Sequence, residues 1–161
     1  MLNILFNFSQ KIKMTKKIKS ISVFDLNGFP VNLMELYKDK ILLLLIYNND
    51  CLGCTGRAIP LAYEFQQKYP TIQVAGIHAD FINREGTKSN IKSIFRSGEN
   101  PFPIFIDKQH KVFDEFNSEG TPQWLLISEK GELFRSFFGS QENAQNRLFY
   151  GLESLVKNIR K

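Results

Sequence analysis

Seven consecutive apolar residues, Ile41-Leu42-Leu43-Leu44-Leu45-Ile46-Tyr47, constrain what this chain can fold into more than any other stretch. A run with no polar residue at alternate positions cannot lie on a sheet with one wet face. It reads as a strand covered on both sides, the pattern of an α/β architecture. It is far short of the ~20 apolar residues a membrane-spanning helix needs.

The segments around this run alternate between strand and helix periodicity. Residues 20–24 read as a short strand followed by a turn at Asn27-Gly28, and 31–37 as a short helix. Residues 52–69 read as a helix carrying Leu61, Phe65 and Tyr69 four apart and ending before Pro70. A second buried strand follows at 72–78, then a helix over 88–97 with Ile91, Ile94 and Phe95, stopped by Gly98. Residues 104–106 form a brief third strand, with a helical turn over 112–116. Two further strands, 123–128 and 132–138, flank Glu129-Lys130-Gly131 as a hairpin. An amphipathic helix over 141–158 closes the chain, with Leu148, Leu152, Leu155 and Ile159 on one face. A β-α-β half followed by a β-β-α half, with no linker, predicts one α/β domain over residues 20–161.

The net charge of +5 raises nucleic acid as a partner until it is located. Lys11, Lys13, Lys16, Lys17 and Lys19 hold the whole excess, and residues 20–161 carry 16 basic and 16 acidic side chains. A nucleic-acid-binding domain places its basic excess on a face of the fold. Here it sits in residues 1–19, read as a disordered basic tail, and no nucleic-acid partner is expected. Residues 2–8 are apolar but broken by Asn3 and Asn7, the lysines follow rather than precede them, and no small-residue cleavage site appears. Met14 offers an alternative start. A cytoplasmic protein with no membrane partner is the expectation.

The chain has two cysteines, Cys51 and Cys54, in Cys51-Leu52-Gly53-Cys54 between the buried strand and the helix. A cysteine at a helix N-terminus meets free backbone N–H groups and the positive end of the helix dipole, which favour its thiolate. A second cysteine three residues on lies about one turn away, close enough for a reversible disulfide. Half of a zinc site and a pair of inert core cysteines are the competing uses. The histidines His78 and His110 match no zinc-finger or ribbon spacing to the cysteines. About 70 residues downstream stands Gly120-Thr121-Pro122, directly before a strand. A proline there is either an edge or turn residue or a cis-proline facing a bound substrate.

These features together resemble the thioredoxin superfamily, in the redoxin branch that holds TlpA- and ResA-like thiol–disulfide oxidoreductases and the AhpC/TSA-like peroxiredoxins. The likeness covers residues 20–158. It rests on Asp25-Leu26-Asn27-Gly28, Leu33, Leu36, Lys40, the strand running into Cys51-Leu52-Gly53-Cys54, Pro60, Asp107, Gly120-Thr121-Pro122, Gly131 and Gly139. It implies a thioredoxin-like fold, a central mixed β-sheet flanked by helices, here with an N-terminal extension. It further implies Cys51 as attacking thiolate, Cys54 as resolving thiol, and a cis bond before Pro122 that faces the dithiol.

Several positions depart from that pattern. Asp50 stands where relatives carry Trp, and a carboxylate there disfavours the Cys51 thiolate unless it points to water. Arg57 replaces a buried Glu, and Leu45 replaces the buried acid of thioredoxin, so the usual proton acceptor for the resolving thiol is missing from both places. Pro60 lies six residues after Cys54, one more than the common spacing. A peroxidatic loop has Pro and Thr or Ser before its nucleophile; here Asn48 stands three residues before Cys51 and no proline precedes it in the segment 41–50. Phe102, Phe105, Trp124, Phe137 and Phe138 read as packing residues, and His78 as a satisfied, partly buried histidine at a strand end, like Tyr47.

The function expected is thiol–disulfide exchange with protein or small-molecule disulfides. Cys51 and Cys54 carry it, Thr121 and Pro122 hold the substrate backbone, and Asp50 and Arg57 act as supporting positions. No cofactor or metal is intrinsic to the chemistry, and an external thiol reductant recycles the pair. A peroxiredoxin-like thiol peroxidase and a non-catalytic thioredoxin-like binding module are the alternatives.

Overall fold

The aliphatic run becomes β3 (Ile41–Tyr47), and all seven residues are buried. Because side chains alternate along a strand, Ile41, Leu43, Leu45 and Tyr47 enter one core layer and Leu42, Leu44 and Ile46 the other. The computed structural model describes residues 15–159, so the part of the basic tail over residues 1–14 lies outside the described residues.

Strand β3 pairs in parallel with β4 (Ile72–Ala79), and β4 in parallel with β5 (Ile104–Asp107). On its other side β3 pairs antiparallel with β6 (Gln123–Ile127), which continues through a hairpin into β7 (Leu133–Phe138). A hairpin of β1 (Ser22–Phe24) and β2 (Pro30–Asn32) adds to the β5 edge, completing a seven-stranded mixed sheet in the order β2-β1-β5-β4-β3-β6-β7.

Helices cover both faces. Ile59, Leu61, Ala62 and Phe65 of α2 (Ile59–Lys68) and Leu148, Leu152, Leu155 and Val156 of α5 (Glu142–Ile159) pack on one layer, joined by Ile91 of α3 (Lys88–Ser93). Leu33 of α1 (Leu33–Leu36) and Val112 of α4 (Lys111–Glu115) pack on the other, with Ile18 and Ile21. Each such aliphatic side chain taken fully out of water contributes ~1.5–3 kcal/mol of transfer free energy, so this double-sided core dominates folding.

Four local expectations are revised. The helix expected over 31–37 starts at Leu33, because Val31 pairs with Val23 in the β1–β2 hairpin and Asn32 caps the helix through its side chain on the Met34 N–H. The helix expected over 88–97 ends at Ser93; its start is a capping box of Thr87 and Asn90, and Gly98 takes a positive φ downstream. The boundary drawn at residue 20 falls too late. Ile18 is 6% exposed, its N–H donates to the Gly131 carbonyl, and the Lys16 carbonyl accepts from Leu133 N, so residues 16–18 belong to the fold. Of the aromatics read as packing residues, Phe102, Phe105, Trp124 and Phe137 are buried, but Phe138 is 47% exposed, because it lies on the outward face of β7. No helix among the described residues is long and apolar enough to cross a membrane.

Candidate active site

The sheet register brings the two separated motifs together. Parallel pairing sets Tyr47 beside His78, and antiparallel pairing sets Ile46 beside Gln123. The end of β3, the end of β4 and the start of β6 therefore meet at one edge of the sheet. Cys51 follows the first, and Thr121-Pro122 precedes the last.

At that edge Cys51 and Cys54 are joined as a disulfide with Cα atoms 5.2 Å apart. Cys51 is half-buried and Cys54 fully buried. The Cys51 Sγ lies 3.3 Å from the Thr121 carbonyl oxygen, a distance at which the reduced thiol can donate to it, and 3.2 Å from the Cys54 backbone N, whose N–H points at the sulfur. A backbone N–H aimed at sulfur at a helix start favours the thiolate of Cys51. The Thr121–Pro122 peptide is cis.

The helix after Cys51 opens with a π-helical segment, Cys54–Ala58, in which the Ile59 N–H donates to the Cys54 carbonyl five residues back. A π-turn holds one residue more than an α-turn. It absorbs the additional residue between Cys54 and Pro60 without disturbing the buried face of α2. Gly53 packs beneath the cis-proline, where a Cβ would stand 3.2 Å from Ser140 Oγ and 3.9 Å from Pro122 Cδ.

The supporting positions expected from sequence do not converge on the sulfurs. Asp50 is exposed, with its carboxylate 3.8 Å from Arg84 Nε, so its charge is directed to solvent and a guanidinium. Arg57 is exposed and donates to the side chain of Gln141, tying the π-segment to the start of α5. Leu45 is buried in the same core layer as Cys54. Tyr47 is fully buried, burial pushes its pKa up, and its hydroxyl finds no hydrogen-bond partner among the described residues. His78 is satisfied on both ring nitrogens, by Asp80 at 2.8 Å and the Asn49 N–H at 3.3 Å. His110 lies 3.0 Å from Asp114, and no three metal-ligating side chains converge among the described residues.

Sequence reasoning did not single out Asp80, Gly86, Trp124, Gly139 or Ser140 as parts of the site. Trp124 donates its Nε1–H to the Gly139 carbonyl at 2.8 Å, and the Gly139 N–H donates to the Pro122 carbonyl at 2.9 Å, fixing the proline loop. Their sequence signals, an aromatic in a strand and a glycine after one, do not differ from those of ordinary core and turn residues.

The chain is similar to proteins already known. The chain is 24% identical over 140 residues to the thiol–disulfide oxidoreductase ResA of Bacillus cereus, covering 87% of this chain and 78% of that protein. It is 28% identical over 109 residues to the thiol–disulfide oxidoreductase YkuV of Bacillus subtilis, covering 67% and 72%. Among solved structures, a thiol–disulfide isomerase from Corynebacterium glutamicum superposes with a TM-score of 0.70 at 20% identity, covering 88% of this chain and 96% of that one. The exposed lipoprotein thioredoxin Etrx1 of Streptococcus pneumoniae superposes at 0.67 with 17% identity, covering 84% and 99%. These neighbours share the thioredoxin-like fold. The AhpC/TSA family matches residues 14–136, most of the chain, and the protein belongs to that family.

Proposed function

We propose that this protein exchanges its Cys51–Cys54 dithiol and disulfide with disulfides and thiols of protein or small-molecule substrates. The observation that carries this reading is the half-buried Cys51 Sγ, 3.3 Å from the Thr121 carbonyl, with buried Cys54 bonded beneath it. The relatives named as thiol–disulfide oxidoreductases support the same activity.

The Cys51 thiolate attacks one sulfur of a substrate disulfide, and the other substrate sulfur leaves as a thiolate. Cys54 then loses its proton and attacks Cys51 Sγ, releasing the second substrate thiol and closing the intramolecular disulfide. Two electrons and two protons pass to the substrate, and an external thiol restores the dithiol. In this reading the Thr121 carbonyl, 3.3 Å from Cys51 Sγ, accepts from a substrate backbone N–H.

Substituting Cys51→Ser abolishes disulfide reduction, and Cys54→Ser accumulates mixed disulfides that mass spectrometry detects. A Cys51→Ser protein that still reduces insulin would overturn the assignment. Stoichiometric consumption of hydrogen peroxide with oxidation of the pair would place the protein with thiol peroxidases instead. The reduction potential decides direction: known oxidoreductases run from about −270 mV for reductants to about −120 mV for oxidants. The cytoplasmic setting expected from the sequence goes with the low end.

A further inference from the structure

We propose that His78 is a positioning residue for Cys51, one member of a neutral, buried brace that holds the turn delivering the attacking sulfur. The proposal rests on the exchange activity described above only for its consequence, not for its geometry.

Three consecutive backbone N–H groups precede the helix that starts after Cys51, and all three are taken up by this brace. The Asn49 N–H donates to His78 Nε2 at 3.3 Å, the Asp50 N–H to Asn48 Oδ1 at 3.0 Å, and the Cys51 N–H to the Asn48 carbonyl at 3.1 Å. Asn48 is itself anchored, its Nδ2 donating to the carbonyls of Ala79 at 2.9 Å and Arg84 at 3.1 Å. The end of β3 and the loop after β4 are thereby tied to one turn.

The imidazole can do this in only one of its forms. A backbone N–H has only a proton to offer, so Nε2 must present a lone pair to Asn49. The ring proton then sits on Nδ1, which faces Asp80 Oδ1 at 2.8 Å. The other neutral tautomer, and the imidazolium, would set an N–H against the Asn49 N–H. Asp80 is fixed in turn by the Gly86 N–H at 2.8 Å. The loop closes on the ring so tightly that a Cβ on Gly86 would lie 2.7 Å from Nδ1, and the Tyr47 ring meets the imidazole edge-on with centroids 5.4 Å apart.

With 1% of its surface exposed, His78 reaches the Cys51 turn through the Asn49 N–H rather than through either sulfur. Asp80 is in contact, Asp50, Arg84 and Glu85 line the polar cleft of about 350 Å³ that His78 also lines, and the Asp107 carbonyl accepts from the Asp80 N–H. From α3 the cleft receives Asn90 and Ser93, both uncharged.

Two measurements on the full chain test this. In wild-type protein labelled with 15N-histidine, long-range proton–nitrogen NMR at neutral pH is expected to report His78 as the Nδ1–H tautomer. An Nε2–H tautomer or an imidazolium overturns the brace. For the reduced protein, alkylation of Cys51 by iodoacetamide is followed against pH in His78→Phe and His78→Gln. Loss of one net hydrogen bond predicts about a tenfold slower reaction in His78→Phe and faster exchange of the Asn49 amide proton. His78→Gln, whose Oε1 can accept from Asn49, is expected to recover to within about threefold. Unchanged alkylation in a folded His78→Phe protein, or equal losses in both variants, overturns the role; where His78→Phe does not fold, the tautomer and His78→Gln decide. Neither readout requires turnover. A protein that fails to reduce disulfides while showing the Nδ1–H tautomer and the alkylation pattern would defeat the proposed activity and leave the brace standing.

Discussion

The two halves of the site are held by different means. The turn carrying Cys51 is fastened mainly by side chains: His78, Asn48 and Asp80 accept from the N–H groups of Asn49, Asp50 and Gly86, and only the Cys51 N–H goes to a backbone carbonyl, that of Asn48. The loop carrying Pro122 is fastened mainly by backbone, with the Gly139 N–H on the Pro122 carbonyl and one indole N–H on the Gly139 carbonyl. A half built on side chains is open to single substitutions. One built on backbone responds to loss of the large residue that shapes it and to added bulk at its glycines. The two halves meet where Cys51 Sγ and the Thr121 carbonyl face each other at 3.3 Å.

The largest effect is expected from Trp124→Ala in the backbone-held half. Trp124 is fully buried and its N–H holds Gly139, so its removal costs ~3–5 kcal/mol, read as a lower urea midpoint. A midpoint within experimental error of wild type would show that the proline loop is fixed by something other than this indole. In the other half, Gly86→Ala drives a methyl to within 2.7 Å of His78 Nδ1 and 3.0 Å of Ile91 Cδ1, and costs ~1–3 kcal/mol. Gly53→Ala, at the join, meets Ser140 Oγ at 3.2 Å, a contact a hydroxyl can relieve, and is expected to cost less than Gly86→Ala. Reversal of that order in chemical melts would place the tighter constraint at the join.

A pH dependence sharpens the contrast further. Asp107 is 1% exposed, and burial raises its carboxyl pKa above the ordinary 3.8 against the opposing pull of the Val112 and Phe113 N–H groups. The folded chain therefore holds this proton more tightly than the unfolded one. The stability it contributes is greatest below the ordinary carboxylate value and declines as pH rises toward the raised value, then stays level. Relative to Asp107→Asn, wild-type protein gains stability as pH falls from neutral through that window; urea midpoints that move the other way would contradict the assignment. The smallest effect belongs to Asp50→Asn. Its pair with Arg84 is exposed on both sides, so the change in stability stays within ~0.5 kcal/mol, and any gain in Cys51 reactivity is expected to fade with added salt.

Much of this was legible in the residues alone. The boundaries of β3 follow from its composition, since a continuous aliphatic run is stable only where both faces are covered. The hairpin around Gly131 and the amphipathic α5 follow from equally local chemistry. Cys51-Leu52-Gly53-Cys54 announces a dithiol at a helix start by spacing, and the fold supplies that helix start. The short β2 was hidden because Pro30–Asn32 pairs only through β1, and three residues carry too little pattern of their own. Lys16, Lys17 and Lys19 read as part of a charged tail, although the backbone of residues 16–18 pairs with the β6–β7 hairpin whatever the side chains carry.

What the sequence by itself determined, then, was the set of elements and the presence of a dithiol, because hydrophobic period and cysteine spacing act over a few residues. Tertiary structure alone decided which distant groups meet that dithiol. Register in the mixed sheet carries Thr121 across 70 positions to Cys51 and sets His78 behind the turn that presents it. Pairing of that kind depends on which strands share an edge, a property of the assembled sheet that no local pattern encodes.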